Sequence, residues 1–236
     1  MKRIALPVLL LIICAATLSA QPMDDEYFYG FKAGANYYSI GEIETTIIPE
    51  VFSVSTYRTE TMPRIGFVGG LYFYHRFPRS RTAIQPEILF AEQGADFNYT
   101  DINELDYTIS FKYQYVNLGV LCKVYPFSGF HFAAGPQVGF NVANTNIDYH
   151  SNMPDLGVDL QVQQQLREVL KGETDINVNL GLGYDFDFGL CIEARYSLGV
   201  KDVIETLANG YGFIENTNTT KGYQVTVGWI IPFEPY

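Results

Sequence analysis

The residues that could do chemistry in this chain are few and scattered. It has three histidines, His75, His131 and His150, with no common helix and no metal-ligand spacing between them, so no metal centre is expected. His150, Ser151 and Asp155 are the one set with the residue types of nucleophilic catalysis, and they would have to act at the rim of the fold. Adjacent residues of a single loop rarely converge as a triad must, and no serine occupies a sharp strand-to-helix turn. The expectation is therefore no catalytic residue, no cofactor and no enzymatic activity. Gly181 and Gly183 flank Leu182 inside an alternating apolar run and do not form a phosphate loop.

Charge pairing is the other chemistry available. Lys32, Glu87, Lys123, Asp185, Glu193 and Arg195 all sit inside segments whose apolar residues alternate with period two. Glu193 and Arg195 are two apart and share a face, which predicts a structural salt bridge. Glu87 follows a proline in "AIQPEILFAEQG" (83–94), which reads as a strand despite both residues. A soluble sheet avoids an interior proline and an unpaired buried carboxylate.

The elements that must position these side chains are strands. Period-two segments cover 27–40, 64–77, 82–94, 110–125, 130–142, 175–187, 189–200 and 221–233. No long helix joins them, which excludes a βαβ fold. Short connections (78–81, 126–129, 187–189) alternate with long ones (41–63, 95–109, 143–174, 201–220). That rhythm predicts an all-β, eight-stranded antiparallel up-and-down barrel with both termini at the tight-turn end. The long loops carry most of the acids: Glu42, Glu44, Glu50, Glu60, Asp101, Glu104, Asp106, Asp155 and Asp159. In the third loop, "LQVQQQLREVLK" places Val162, Leu166, Val169 and Leu170 on one helical face, predicting a short amphipathic helix on the barrel rim; a partner-binding helix is the alternative reading.

Alternation alone does not say which face meets lipid and which lines the bore. Three features decide. The polar parity is mostly Gly, Ala, Asn and Gln rather than the Lys and Glu of a solvated sheet. Aromatics gather near strand ends (Tyr27, Tyr29, Tyr37, Phe73, Phe77, Tyr125, Phe130, Tyr184, Phe186, Trp229, Phe233), as in the two girdles of a membrane barrel. The six strand charges keep one parity, with Glu92 near a loop end as the exception. A Lys or Arg facing mid-bilayer lipid costs on the order of 2–4 kcal/mol, so the charged parity points inward. This predicts a polar lumen network of Lys32, Gln85, Glu87, Lys123, Gln137, Glu193 and Arg195. Pro86 and Pro136 then face lipid, and a bulge is expected at each.

The chain opens "MKRIALPVLLLIICAATLSAQ": a basic start, an apolar run of about 15 residues and a small-residue site. This predicts a secretory signal peptide over 1–20, cleaved after Ala20, with the barrel domain over 21–236. Cys14 leaves with it, and Cys122 and Cys191 are too few for a disulfide framework. The formal charge of −11 argues against nucleic acid as a partner.

"FKAGANYYSI", "RIGFVGGLYFYHRF", "IQPEILFAEQGA", "YVNLGVLCKVY", "FAAGPQVGF" and "IEARYSLG" together resemble the PorT-like outer-membrane β-barrel family over essentially the whole mature chain. The family usually has Glu and Pro where this chain has Asn117 and Gly119. The resemblance implies eight antiparallel strands in the outer membrane of a Gram-negative bacterium. It also implies a structural or interaction role in the envelope, with protein secretion linked to the name-giving member. "GWIIPFEPY" is similar to the barrel-assembly signal, with Gly228, Ile231 and Phe233 at its spacing. The partners so implied are outer-membrane lipid, the assembly machinery at the C-terminal strand, and envelope proteins at the outer loops. A narrow pore, a rim enzyme and a secreted ligand-binding barrel are the rival readings.

Overall fold

The computed structural model describes residues 26–41, 58–100, 106–143, 145–152, 156–206 and 218–232. Residues 1–20, where a signal peptide is expected, and Glu42, Glu44, Glu50, Asp101, Glu104, Asp155 and Phe233 lie outside them. Eight strands close a ring: β1 (Glu26–Ile40), β2 (Arg58–Arg76), β3 (Thr82–Thr100), β4 (Asp106–Val124), β5 (Phe130–Asn141), β8 (Asp175–Asp185), β9 (Leu190–Asp202) and β11 (Thr219–Pro232). Each pairs antiparallel with its neighbours, and β3 pairing with both β2 and β4 completes the circuit. Three short strands lie outside the ring: β6 (Ile147–Ser151), β7 (Leu170–Gly172) and β10 (Ile204–Thr206). Among the described residues one helix, α1 (Leu156–Val169), joins β6 to β7, with Asp159 in its first turn and Arg167 in its last, where both suit the helix dipole.

The parity read from sequence holds along the ring. Tyr29, Phe31, Ile88, Phe90, Leu118, Phe132 and Val227 are exposed on the outer face, while Lys32, Gln85, Leu89, Asn117 and Gln137 are buried inside. Tyr37, Tyr223 and Tyr196 occupy one registered row at the loop end, with the Tyr196 and Tyr223 ring centroids 4.9 Å apart and the rings tilted by 42°. Tyr27 with Phe73, Tyr184 with Phe186, and Phe188 with Trp229 form contacts at the turn end. From Tyr27 to Tyr37, a rise of about 3.3 Å per residue at about 40° of tilt gives an apolar band about 25 Å tall. Tyr125 does not belong to the girdle. It is 3% exposed and faces the bore, where its hydroxyl donates to Asp185 at 2.7 Å and accepts from Tyr74 at 2.9 Å. Its position follows the alternation of β4, in which Tyr115, Asn117, Leu121 and Lys123 also face the bore. The three tight turns each place a residue at positive φ: Arg79, Gly129 and Gly189.

The long connections hold more structure than expected. The segment 95–109 is mostly a continuation of β3 and β4, paired from Ala95↔Phe111 to Thr100↔Asp106. Glu60 and Asp106 lie in strands and Asp159 in the helix, so these three acids are not in loops. The inner faces of the extended strands carry Phe97, Tyr99, Ile109, Phe111 and Tyr113, which form one buried cluster with Ile40 of β1, Ile147, Leu170, Val203 and Ile204. Because β1 and β4 stand three places apart in the ring, this cluster reaches across the outer end of the bore. Leu166 packs on it from α1; Leu170, expected on the helix, instead lies in β7 opposite Thr206.

Helix α1 also covers the free edge of β6. Asp159 accepts from Ser151 N and Oγ, Gln163 accepts from Tyr149 N at 3.3 Å, and Arg167 Nε donates to the Ile147 carbonyl at 2.8 Å. These residues recur every four positions on one helical face, so their side chains stand in for a missing strand and blunt an edge otherwise open to pairing.

No bulge marks Pro86 or Pro136. Pairing of β4 with β5 lapses at Val120 and Leu121 and resumes at Cys122↔Ala134 in the register it had at Gly119↔Gln137. Pairing of β2 with β3 lapses at Phe73 and Tyr74 and likewise resumes unchanged. Each proline removes one donor without changing the residue count, so the strand does not shift. The carbonyl left without a donor opposite Pro136 is that of Val120, and it occupies the place a Cβ on Gly135 would need. The register shift in β2–β3 lies elsewhere, between Pro63 and Val68.

Candidate functional site: the charged interior of the barrel

Inward parity and the ring order assemble the buried charges. Lys32 stands on β1, Glu87 on β3, Lys123 on β4, Asp185 at the end of β8, and Glu193 and Arg195 on β9. Lys32 Nζ donates to Glu87 Oε2 at 2.6 Å and lies 3.7 Å from Glu193. Arg195 engages Glu87 through both terminal nitrogens, Nη2 to Oε2 at 2.7 Å, while its Nε donates to Glu193 Oε1. Lys123 Nζ is 3.5 Å from Glu193 and 3.7 Å from Asp185. Gln85 Nε2 donates to Glu87 Oε2 at 3.1 Å. Three cationic side chains thus face three carboxylates, and those of Lys32, Glu87 and Arg195 are at most 2% exposed. Tyr72 and Tyr74 present ring faces to Lys32 and Lys123 at 5.3 and 5.6 Å.

β3 and β9 are four places apart in a ring of eight, so the Arg195–Glu87 pair runs between opposite walls. Gly119, registered opposite Glu87, leaves the room: a Cβ there would stand 3.3 Å from the Glu87 carboxylate. Of the seven residues named from sequence, six meet in this cluster. Gln137 does not; it accepts from Asn179 Nδ2 at 3.1 Å in a separate group running on through Ser197 to Tyr38.

Sequence reasoning left out much of the interior. Asp185 had been noted as a strand charge but not as a member of the site. His131, fully buried, has Nδ1 3.5 Å from Asp185 and Nε2 3.8 Å from Glu193. Nearer the loops, Asp175 accepts from Asn177 at 2.8 Å and from Thr220 at 2.9 Å. Inward parity was the signal that could have found these residues, since Asn177, Asn179, Ser197 and Thr220 all share the lumen face of their strands.

At the rim, His150 and Ser151 are consecutive in β6 and so project to opposite faces, His150 exposed and Ser151 buried. Ser151 Oγ donates to Asp159 at 2.9 Å. Among the described residues, no group of three or more His, Cys, Asp or Glu side chains could hold a metal ion. Cys122 and Cys191 form no disulfide. Cys191 lies inside with Sγ 3.4 Å from the Tyr72 hydroxyl, and Cys122 shares the outward parity of Val120 and Val124.

The model of the outer membrane protein beta-barrel domain family matches residues 19–205. No curated protein matches the chain. Among solved structures, the chain is similar to the outer membrane protein OprG from Pseudomonas aeruginosa: 11% identity, 86% of this chain and 95% of that one, TM-score 0.46. Neisserial surface protein A is similar at 8% identity, 87% and 97% coverage and a TM-score of 0.37. The Ail protein of Yersinia pestis is similar at 9% identity, 89% and 100% coverage and a TM-score of 0.38.

Proposed function

The chain belongs to the outer membrane protein β-barrel domain family, and on that premise we propose that its barrel conducts nothing and serves as an anchor, holding an ordered assembly of β2–β4, β6 and α1 at the cell surface for contact with other envelope components. The observation that carries this reading is the Arg195–Glu87 pair, which ties opposite walls together at mid-bore. Around it, Lys32, Lys123, Glu193 and Asp185 complete a neutral set. A solute would have to break buried charge pairs to pass, and removing one partner of such a pair costs about 3–5 kcal/mol. The apolar cluster of Phe97, Phe111, Ile147 and Ile204 adds a second barrier beyond it.

The finer role follows the resemblance to PorT-like barrels: a non-enzymatic component supporting protein secretion across the envelope. In this reading the mature chain begins after Ala20, the C-terminal strand engages the assembly machinery, and the outer segments contact envelope proteins. The test of the closed bore is planar-bilayer recording of the pure wild-type protein. Absence of steady conductance steps is expected. Regular single-channel openings would overturn the anchor in favour of a narrow pore. Crosslinking in cells, read by mass spectrometry, tests the secretion role; recovery of lipid alone, with no envelope protein at the outer segments, would refute it.

A further inference from the structure

The chain carries a formal charge of −11, yet one short stretch of it is strongly basic. The tight turn between β2 and β3, "RFPRSR" (76–81), holds Arg76, Arg79 and Arg81 and no acid. The adjoining tight turn, "PFSG" (126–129), is uncharged, and Asp187 on the β8–β9 turn stands across the ring, since β8 and β9 lie four places from β2 and β3. Elsewhere basic side chains are matched: Arg64 with Asp96, Lys112 with Asp148, Lys201 with Glu173, and the lumen cations with Glu87 and Glu193. Among the described residues no carboxylate pairs with Arg76, Arg79 or Arg81.

The turn that carries them is ordered. Phe77 N donates to the Thr82 carbonyl at 3.1 Å, Ser80 N to the Phe77 carbonyl at 3.2 Å, and Tyr125 N to the Arg81 carbonyl at 2.7 Å. Arg79 has a φ of 53° and is the only described residue other than glycine in the left-handed region, a position that favours glycine or asparagine. An arginine is thus held at the tip against local preference. Arg79 and Arg81 are exposed. Arg81 Nη1 donates to the Pro126 carbonyl at 3.3 Å, and the Arg76 guanidinium lies over the Tyr125 ring at 4.9 Å. Tyr125 and Pro126 are consecutive, so these two guanidinium groups converge on the start of the β4–β5 turn. Neither contact neutralises a charge, and each guanidinium keeps donors to spare.

Apolar side chains set the depth of the turn. Phe77 continues the outward parity of Leu71 and Phe73, with His75 edge-on to it at 4.7 Å and stacked on Tyr27 at 4.6 Å. Phe127, next to Pro126, is 73% exposed. Such aromatics mark the boundary between acyl chains and water, and the short turns of an outer-membrane barrel face the periplasm. Arg79 and Arg81 therefore stand at the level of the lipid phosphates of the periplasmic leaflet. We propose that the β2–β3 turn binds the headgroup of an anionic phospholipid of that leaflet, its phosphate on Arg79 and Arg81 and its acyl chains along Phe73 and Phe77, with Arg76 adding positive charge from the mouth of the bore. A zwitterionic lipid fits less well, because its ammonium finds no carboxylate on this turn. A free phosphate shares the charge but gains nothing from the apolar wall.

The test is lipid retention in native mass spectrometry of the folded protein, loaded in detergent with phosphatidylglycerol or phosphatidylethanolamine. A basic side chain beside an anionic lipid surface contributes about fivefold in binding, so wild-type protein is expected to retain phosphatidylglycerol about tenfold better or more. Arg79→Asn, which suits the left-handed backbone, and Arg81→Gln should each lower that preference about fivefold. Lys221→Gln, at the opposite end of the barrel, should keep it; heat-modifiable migration in SDS checks the fold of each variant. Equal retention of the two lipids by wild-type protein would overturn the proposal, as would an unchanged preference when Arg79→Asn and Arg81→Gln are combined. Displacement of bound lipid by free glycerol phosphate at constant ionic strength would overturn the lipid as occupant. Conductance is unaffected by any of these outcomes, so this site and the closed bore stand or fall separately.

Discussion

Truncating Glu87 probes the interior most directly. Its carboxylate accepts from Lys32, Gln85 and twice from Arg195, and its side chain is 1% exposed. In Glu87→Ala, Lys32 and Arg195 keep only Glu193 between them, and Glu193 is already shared with Lys123. The interior goes from three charges of each sign to one excess positive charge. Removing one partner of a buried pair costs about 3–5 kcal/mol, because the other charge stays desolvated. The expected loss is of that order, a factor of roughly 10²–10⁴ in the unfolding equilibrium. The assay is reversible urea unfolding of the barrel in detergent micelles, followed by tryptophan fluorescence from Trp229, with the temperature of the SDS mobility shift as a second readout. A compensating variant makes the test specific. Glu87→Gln combined with Lys32→Met restores neutrality at similar volume and should recover more than half of the loss. A Glu87→Ala cost below about 1 kcal/mol, or a double variant no better than the sum of its parts, would refute a paired, dry interior.

The other predictions are independent of that one. Pro136→Ala restores a donor for the Val120 carbonyl and should stabilise the barrel by about 1 kcal/mol in the same urea assay; Gly135→Val, which drives a side chain into that carbonyl, should destabilise it clearly. Cys122 should react with a membrane-soluble maleimide in the folded protein, and Cys191 only after unfolding. Equal labelling of both in the native state would contradict the assigned faces. Asp148, beyond the outer tyrosines, is held below the usual aspartate range first by hydrogen bonding to Lys112; burial opposes this, and the charges of Lys112 and Arg167 add to the lowering. A depressed carboxylate stabilises above its unfolded pKa and loses that contribution as pH falls through the lower folded value, so the link between Lys112, Asp148 and α1 should weaken only below about pH 4. Amide exchange in β6 and α1 should quicken there, and acceleration already at pH 6 would count against the assignment.

The interior was legible in the sequence as far as parity reaches. Alternation has a period of two residues and is written locally, so Lys32, Glu87, Glu193 and Arg195 could be assigned inward, and Phe31, Phe90 and Val227 outward, without any knowledge of strand neighbours. The tight turns and the helix within 160–171 were local too, set by glycine, proline and helical spacing. Ring order and stagger were not local. Nothing near residue 87 or residue 195 says that 108 positions later in the chain lies the opposite wall, and only closure of eight strands makes Arg195 and Glu87 partners while sending Gln137 to another group. The extension of β3 and β4 past the membrane escaped for a related reason: its polar outer face reads as loop until the apolar partners Leu170, Val203 and Ile204 arrive from distant sequence to cover its inner face. The prolines and the β2–β3 break belong to the same class. A proline's missing donor is local, but which carbonyl goes without it, and whether the ladder shifts to compensate, depends on the neighbouring strand's register, which tertiary structure alone decides.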